Sequence, residues 1–156
     1  MGIEIERKFL VNHEKWEQIN KPAGTHYAQG YLLADNGRSV RVRIAEKEAW
    51  LNLKCKSTNL TRAEFEYEIP LEDGKVILAA FTSTGTEKIR YRIQYAGNTW
   101  EVDVFLGQNQ GLIVAEIELD SEDQVFESPD WVGREVTDDG RYTNAALAKV
   151  PYNAWF

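Results

Sequence analysis

An apolar–polar alternation of period two recurs along most of this chain, and it limits the fold more than any other feature of the sequence. Ile3, Ile5 and Phe9 alternate with Glu4, Glu6 and Lys8, and Val40, Val42 and Ile44 with Arg41 and Arg43. Leu51, Leu53 and Cys55 alternate with Asn52, Lys54 and Lys56, and Phe65, Tyr67 and Ile69 with Glu64, Glu66 and Glu68. The pattern returns in Ile89, Tyr91 and Ile93 against Lys88, Arg90 and Arg92, then in Trp100, Val102 and Val104 against Glu101 and Asp103. It closes with Ile113, Ala115, Ile117 and Leu119 against Glu116 and Glu118. Successive side chains of a strand point to opposite faces, so each segment predicts a strand with one apolar and one polar face. A further strand is expected over residues 25–33. Turn signals at Asp35-Asn36-Gly37, Tyr95-Ala96-Gly97-Asn98 and Gly107–Gly111 separate several of them and favour antiparallel hairpins.

Three segments read as helices instead: residues 13–19 after a potential Asn12 cap, Leu71–Phe81 after Pro70, and residues 139–149, stopped by Pro151. The fold class is therefore α+β, mostly antiparallel β. About eight strands could close into a barrel, which removes exposed edges. The 156 residues predict a single domain.

The polar positions of these strands are almost all ionisable, and the signs are segregated by strand. Arg41-x-Arg43, Lys54-x-Lys56 and Lys88-x-Arg90-x-Arg92 are basic; Glu4-x-Glu6, Glu64-x-Glu66-x-Glu68, Glu101-x-Asp103 and Glu116-x-Glu118 are acidic. Two readings stand. In one, the charged face meets water and neighbouring strands form cross-strand ion pairs. In the other, the charged face lines the barrel. Buried ions cost several kcal/mol each unless paired or coordinated, so such an interior would be a wet tunnel holding a charged ligand. Arg-x-Arg on one strand face sets two guanidiniums about 6.5 to 7 Å apart, a spacing suited to successive phosphates. Glu-x-Glu offers hard oxygen donors suited to Mg²⁺ or Mn²⁺.

Glu4-x-Glu6-x-Lys8, within Ile3-Glu-Ile-Glu-Arg-Lys-Phe-Leu, resembles the ExExK signature of the CYTH superfamily, the triphosphate tunnel metalloenzymes. Gln29-Gly30-Tyr31-Leu32, Val40-Arg41-Val42-Arg43, Leu53-Lys54, Arg62-x-Glu64-x-Glu66, Lys88-x-Arg90, Glu101-Val102-Asp103 and Ala115-Glu116-Ile117-Glu118 follow in the family's order. Trp131–Thr137 and Arg141-Tyr142-x-Asn144-x-x-Leu147 resemble the tail of short bacterial members, with Arg134 where the family more often carries Lys. The resemblance implies an eight-stranded barrel whose tunnel binds triphosphates with one or two Mg²⁺ or Mn²⁺ ions. It implies that Lys8, Arg41, Arg43, Lys54, Lys88, Arg90 and Arg134 grip phosphates and that Glu4, Glu6, Asp103, Glu116 and Glu118 hold metal. Lys8, two residues beyond Glu6, is the candidate for a catalytic role. Lys56, Arg92, Glu64, Glu66, Glu68 and Glu101 share the same faces and are expected to be supporting partners.

The activity implied first is hydrolysis of inorganic tripolyphosphate to pyrophosphate and phosphate. The alternatives are a class IV-type adenylate cyclase, a thiamine triphosphatase or other nucleoside triphosphatase, and a non-catalytic polyphosphate-binding module. A net charge of −7 argues against a nucleic-acid binder that works by bulk electrostatics. No apolar run reaches the roughly 18 to 20 residues of a membrane helix. The lone Cys55 and the lack of a Cys/His cluster exclude an internal disulfide and a zinc site of the usual spacing. A cytoplasmic protein, monomer or homodimer, is expected.

Overall fold

A computed structural model describes residues 2–56 and 61–156. Along the chain run β1 (Gly2–Val11), α1 (His13–Gln18), β2 (Thr25–Asp35), β3 (Arg38–Ala45), β4 (Glu48–Lys56) and β5 (Thr61–Ile69). Then come α2 (Leu71–Phe81), β6 (Gly85–Tyr95), β7 (Asn98–Phe105), β8 (Ile113–Glu118), β9 (Val132–Glu135) and α3 (Asn144–Lys149). All pairings are antiparallel, in the order β5-β4-β3-β2-β6-β7-β8-β1, and β5 returns to pair with β1 through Gly2–Ile5. The eight-stranded barrel expected from the alternation is thus closed. The four-residue strand β9 lies outside that expectation: it pairs with Phe9 and Val11 of β1, beyond the stretch that β5 covers.

Local chemistry explains the hairpins. Asn36 and Gly37 have φ of 41° and 78°, and Ala96 and Gly97 have 50° and 83°, so both two-residue loops place two successive residues in the left-handed region. That is the turn whose twist matches paired strands, and glycine takes its second position without strain. Gly74 sits inside α2 for a different reason: a Cβ there would lie 2.5 Å from the Ala49 Cβ, so its absence lets the helix close on β4. α2 covers β2, β3 and β4.

On the opposite side, the outward apolar face of β1, β7 and β8 carries Phe9, Val11, Trp100, Val102, Ala115 and Ile117, all buried. Trp16 of α1 and Trp131 close over it in edge-to-face contact, with ring centroids 5.3 Å apart. The apolar half of each strand therefore packs outward beneath helices and loops, and the ionisable half faces in.

One end of the lumen is closed. The expected helix over residues 139–149 divides into a 3-10 turn, Gly140–Tyr142, and α3, because Thr143 is extended and its side chain accepts from the Ala146 N–H as a cap. Tyr142 O accepts from Lys8 Nζ at 3.3 Å, and Asn144 Oδ1 accepts from Gln29 Nε2 at 3.1 Å and Lys88 Nζ at 3.2 Å. The turn and α3 thus pack across this end of the barrel like the base of a cup. No described helix is long and apolar enough to cross a membrane.

Candidate active site

The cup encloses a cavity of about 260 Å³. Seven cationic side chains line it (Lys8, Arg41, Arg43, Lys54, Arg62, Arg90, Arg92), and so do seven carboxylates (Glu4, Glu6, Glu64, Glu66, Glu101, Glu116, Glu118). Of the two readings of the charged face, the structure selects the inward one. Strand order sorts the signs: β7, β8 and β1 form a mainly acidic wall, and β3, β4 and β6 a basic one, with β5 contributing both.

Many of these charges are paired. Lys54 Nζ lies 3.0 Å from Glu4 Oε1 and 3.5 Å from Glu64 Oε2, and Arg43 Nη2 lies 3.0 Å from Glu66 Oε2. Glu116 sits 3.8 Å from Lys8 Nζ and 3.7 Å from Arg90 Nη2. Burial works against the charge of Glu116, but Lys8 and Arg90 hold its pKa down to about 2.

Deeper in the barrel lies an ionic layer that does not line the cavity. Asp103, 1% exposed, accepts from Arg90 Nε at 2.7 Å and Nη2 at 2.9 Å, and from Lys88 Nζ at 2.7 Å. Burial disfavours the Asp103 charge, yet Arg90 and Lys88 more than offset it and hold the carboxyl well below its ordinary range. Burial pushes Lys88 down, to about 7, against the pull of Asp103.

Other charges face the cavity without a partner. Among the described residues, Glu6, Glu118, Arg41 and Arg62 have no ion-pair partner within 4.0 Å. The buried Nε atoms of Arg41, Arg43 and Arg62 make no hydrogen bond. Glu6 stands directly opposite Glu118 across the β1–β8 ladder, and Glu101 opposite Glu116 across β7–β8. Like charges in such positions destabilise a sheet. Burial first, and then Glu116, push the Glu6 pKa up to about 8. Burial, followed by Glu4 and Glu64, also raises Glu118.

The donor chemistry fits a divalent cation on the acidic wall: hard carboxylate oxygens, mutually repelling, two of them without a counter-ion. Among the described residues, no three acidic side chains converge on a preformed metal cage. That suits an ion held by a few carboxylates, waters and substrate oxygens.

Of the residues named from sequence, Glu4, Glu6, Lys8, Arg41, Arg43, Lys54, Arg90, Glu116 and Glu118 converge on the cavity. Three do not. Asp103 has both oxygens engaged by Arg90 and Lys88 and does not line the cavity. Lys88 is 1% exposed and does not line the cavity. Arg134 is exposed on β9, outside the barrel. Of the supporting set, Arg92, Glu64, Glu66 and Glu101 line the cavity, while Lys56 and Glu68 are exposed outside it. Arg62, Tyr31, Ser39, Thr143 and Asn144 line it as well. Arg62 shares its strand face with Glu64 and Glu66, so parity alone could have placed it; nothing local to Thr143 or Asn144 signals that α3 enters the lumen.

The CYTH domain model matches residues 2–150. The chain belongs to the CYTH family. Among its CYTH relatives, an inorganic triphosphatase of Acetivibrio thermocellus is 48% identical over 153 residues, covering 97% of each chain. An inorganic triphosphatase of Nitrosomonas europaea is 37% identical, covering 93% of this chain and 96% of its own. A crystal structure of an inorganic triphosphatase superposes with a TM-score of 0.66 at 34% identity, covering 95% of each chain.

Proposed function

We propose that the protein is a metal-dependent triphosphatase that hydrolyses inorganic tripolyphosphate to pyrophosphate and phosphate in the barrel cavity. The observation that carries this is the set of buried arginine Nε donors without partners, at Arg41, Arg43 and Arg62, all lining one cavity opposite unpaired carboxylates. Buried polar groups are rarely left unpaired, and a polyanion supplies acceptors for the guanidiniums that line the cavity. The full-length likeness to two inorganic triphosphatases supports the same substrate class.

Arg41, Arg43, Lys54, Arg62 and Arg90 hold the phosphate chain and stabilise charge as it shifts to the leaving oxygen, the main demand of phosphoryl transfer. Mg²⁺ or Mn²⁺, held by Glu4, Glu6, Glu116 and Glu118, would supply positive charge on the phosphate oxygens and acidify water. Lys8 is fixed between Tyr142 O and Glu116 at the cavity wall. From there it can give a proton to the leaving phosphate oxygen. Asp103 keeps the Arg90 guanidinium in one orientation rather than binding metal.

A place in the reducing cytoplasm, which suits the lone exposed Cys55, and a chain acting as monomer or homodimer belong to the same proposal.

Product analysis tests it: purified protein with Mg²⁺ or Mn²⁺ and, separately, tripolyphosphate, ATP and thiamine triphosphate. Phosphate release is expected to be fastest from tripolyphosphate and to vanish with EDTA. Cyclic AMP and pyrophosphate from ATP, with no phosphate from tripolyphosphate, would overturn it.

A further inference from the structure

Tyr27 of β2 is 5% exposed and does not line the cavity, yet three side chains that do line it meet this residue, two over its ring and one at its hydroxyl. The guanidinium carbon of Arg43 lies 4.8 Å from the ring centroid and that of Arg90 lies 5.6 Å away. The Tyr27 hydroxyl accepts from Arg92 Nη2 at 3.3 Å. Trp50 of β4 supplies a second aromatic contact to Arg43, at 5.3 Å.

Arg43 and Arg90 repel one another and are largely buried. Burial, followed by Arg41 and later Arg90, lowers the pKa of Arg43. Each of the three arginines already has a carboxylate partner, Glu66 for Arg43, Asp103 for Arg90 and Glu101 for Arg92, and a further one would quench the charge the cavity needs for its ligand. An aromatic face attracts a cation through its quadrupole and leaves the formal charge intact. Stacking also occupies the face of a guanidinium, so its in-plane N–H groups remain available; the buried Nε of Arg43 is one such unpartnered donor.

We infer that Tyr27, assisted by Trp50, is a positioning residue: a shared aromatic platform that pre-orients Arg43, Arg90 and Arg92 towards the phosphate chain. The inference rests on the triphosphate reading above for its kinetic consequence, though not for the stacking itself. Arginine carries large rotamer freedom, and a platform that removes it before binding lowers KM.

The test compares Tyr27→Met, which keeps bulk without a π face, with Tyr27→Phe, which keeps the ring and loses only the hydroxyl. With tripolyphosphate and Mg²⁺, Tyr27→Met is expected to raise KM about tenfold or more with a smaller fall in kcat, as loss of two cation–π contacts implies. Tyr27→Phe should stay within about threefold of the wild type. A role confined to folding would instead reduce the active fraction, lowering kcat at constant KM.

Side-chain NMR of the arginine Nε–Hε groups gives the second readout, independent of turnover. The ring-current shift of Arg90 should be present in wild type and Tyr27→Phe and lost in Tyr27→Met, whereas that of Arg43 should change without vanishing, because Trp50 remains beside it. Should Tyr27→Met not fold, Trp50→Leu removes the other contact of Arg43, and a raised KM is expected there too. An unchanged KM together with unchanged arginine resonances overturns the inference. A wild type that leaves tripolyphosphate intact, but loses the Arg90 shift on Tyr27→Met, overturns the triphosphate reading and leaves the platform standing.

Discussion

Two ionic regions of this barrel lie a few ångströms apart and are built on opposite principles. In the deep layer, Asp103 accepts three hydrogen bonds from Lys88 and Arg90, and every charge has its counter-ion. In the cavity above it, Glu6 faces Glu118, and Arg41 and Arg62 have no ion-pair partner among the described residues. On the function proposed above, the first is scaffold: Lys88 and Arg90 share the Asp103 carboxylate. The second holds repulsion that folding alone does not relieve, and unrelieved repulsion in a concave site is where a ligand gains affinity. Arg90 joins the two, gripped by Asp103 on one side and lining the cavity on the other.

The contrast can be broken from either side. Asp103→Asn should strike the scaffold hardest, because it leaves Lys88 buried beside Arg90 without a full counter-charge. A loss of about 3–5 kcal/mol in unfolding free energy is expected from denaturant titration. A loss below about 1 kcal/mol would mean that Asp103 is not structural and would return it to the metal set. Glu118→Ala should do the reverse, leaving stability nearly unchanged and lowering turnover of tripolyphosphate by about 10²- to 10³-fold. Full activity would remove the acidic wall from the chemistry. Arg41→Ala takes away a cavity-lining guanidinium whose Nε is unpartnered; kcat/KM should fall about 10²-fold, and an unchanged value would place Arg41 outside the site.

Much of this was legible in the sequence, because a period of two reports which face a strand residue occupies. The parity of Lys8, Arg41, Lys54 and Glu116 placed them on one common face, which the family resemblance rather than parity turned inward, and Pro70 fixed the start of α2. Parity carries no information about depth along the barrel axis. Glu101 and Asp103 share one face of β7, yet Glu101 lines the cavity while Asp103 lies beneath it. Which of the two is consumed by a partner depends on β6, whose Arg90 is 13 residues away from Asp103 in the chain. The closed end was equally hidden. Asn144 enters the lumen only because Thr143 breaks the expected helix and the chain folds back across the barrel mouth. Arg134, read by analogy with the tail of the family, lies on a strand that adds to the outside of β1.

The pH dependence separates the two regions as well. Glu6 has a folded-state pKa near 8, raised from 4.5, so the folded protein binds the proton more tightly than the unfolded chain. Stability from this group is complete below about pH 4.5 and is lost as pH rises through 8, a change of a few kcal/mol at most. Asp103 has the opposite sign, with stability present above its ordinary pKa and lost only in strong acid.

The most direct test is therefore the melting temperature of metal-free Glu6→Gln against wild type at pH 8, with tripolyphosphate turnover measured on the same samples. The variant removes a charge that the cavity stores for its ligand. It is predicted to melt higher than wild type by several degrees, as about 1–2 kcal/mol implies for a chain of this size, while turnover falls sharply. A variant that melts at or below the wild type would contradict the account, since Glu6 would then be a satisfied scaffold charge like Asp103.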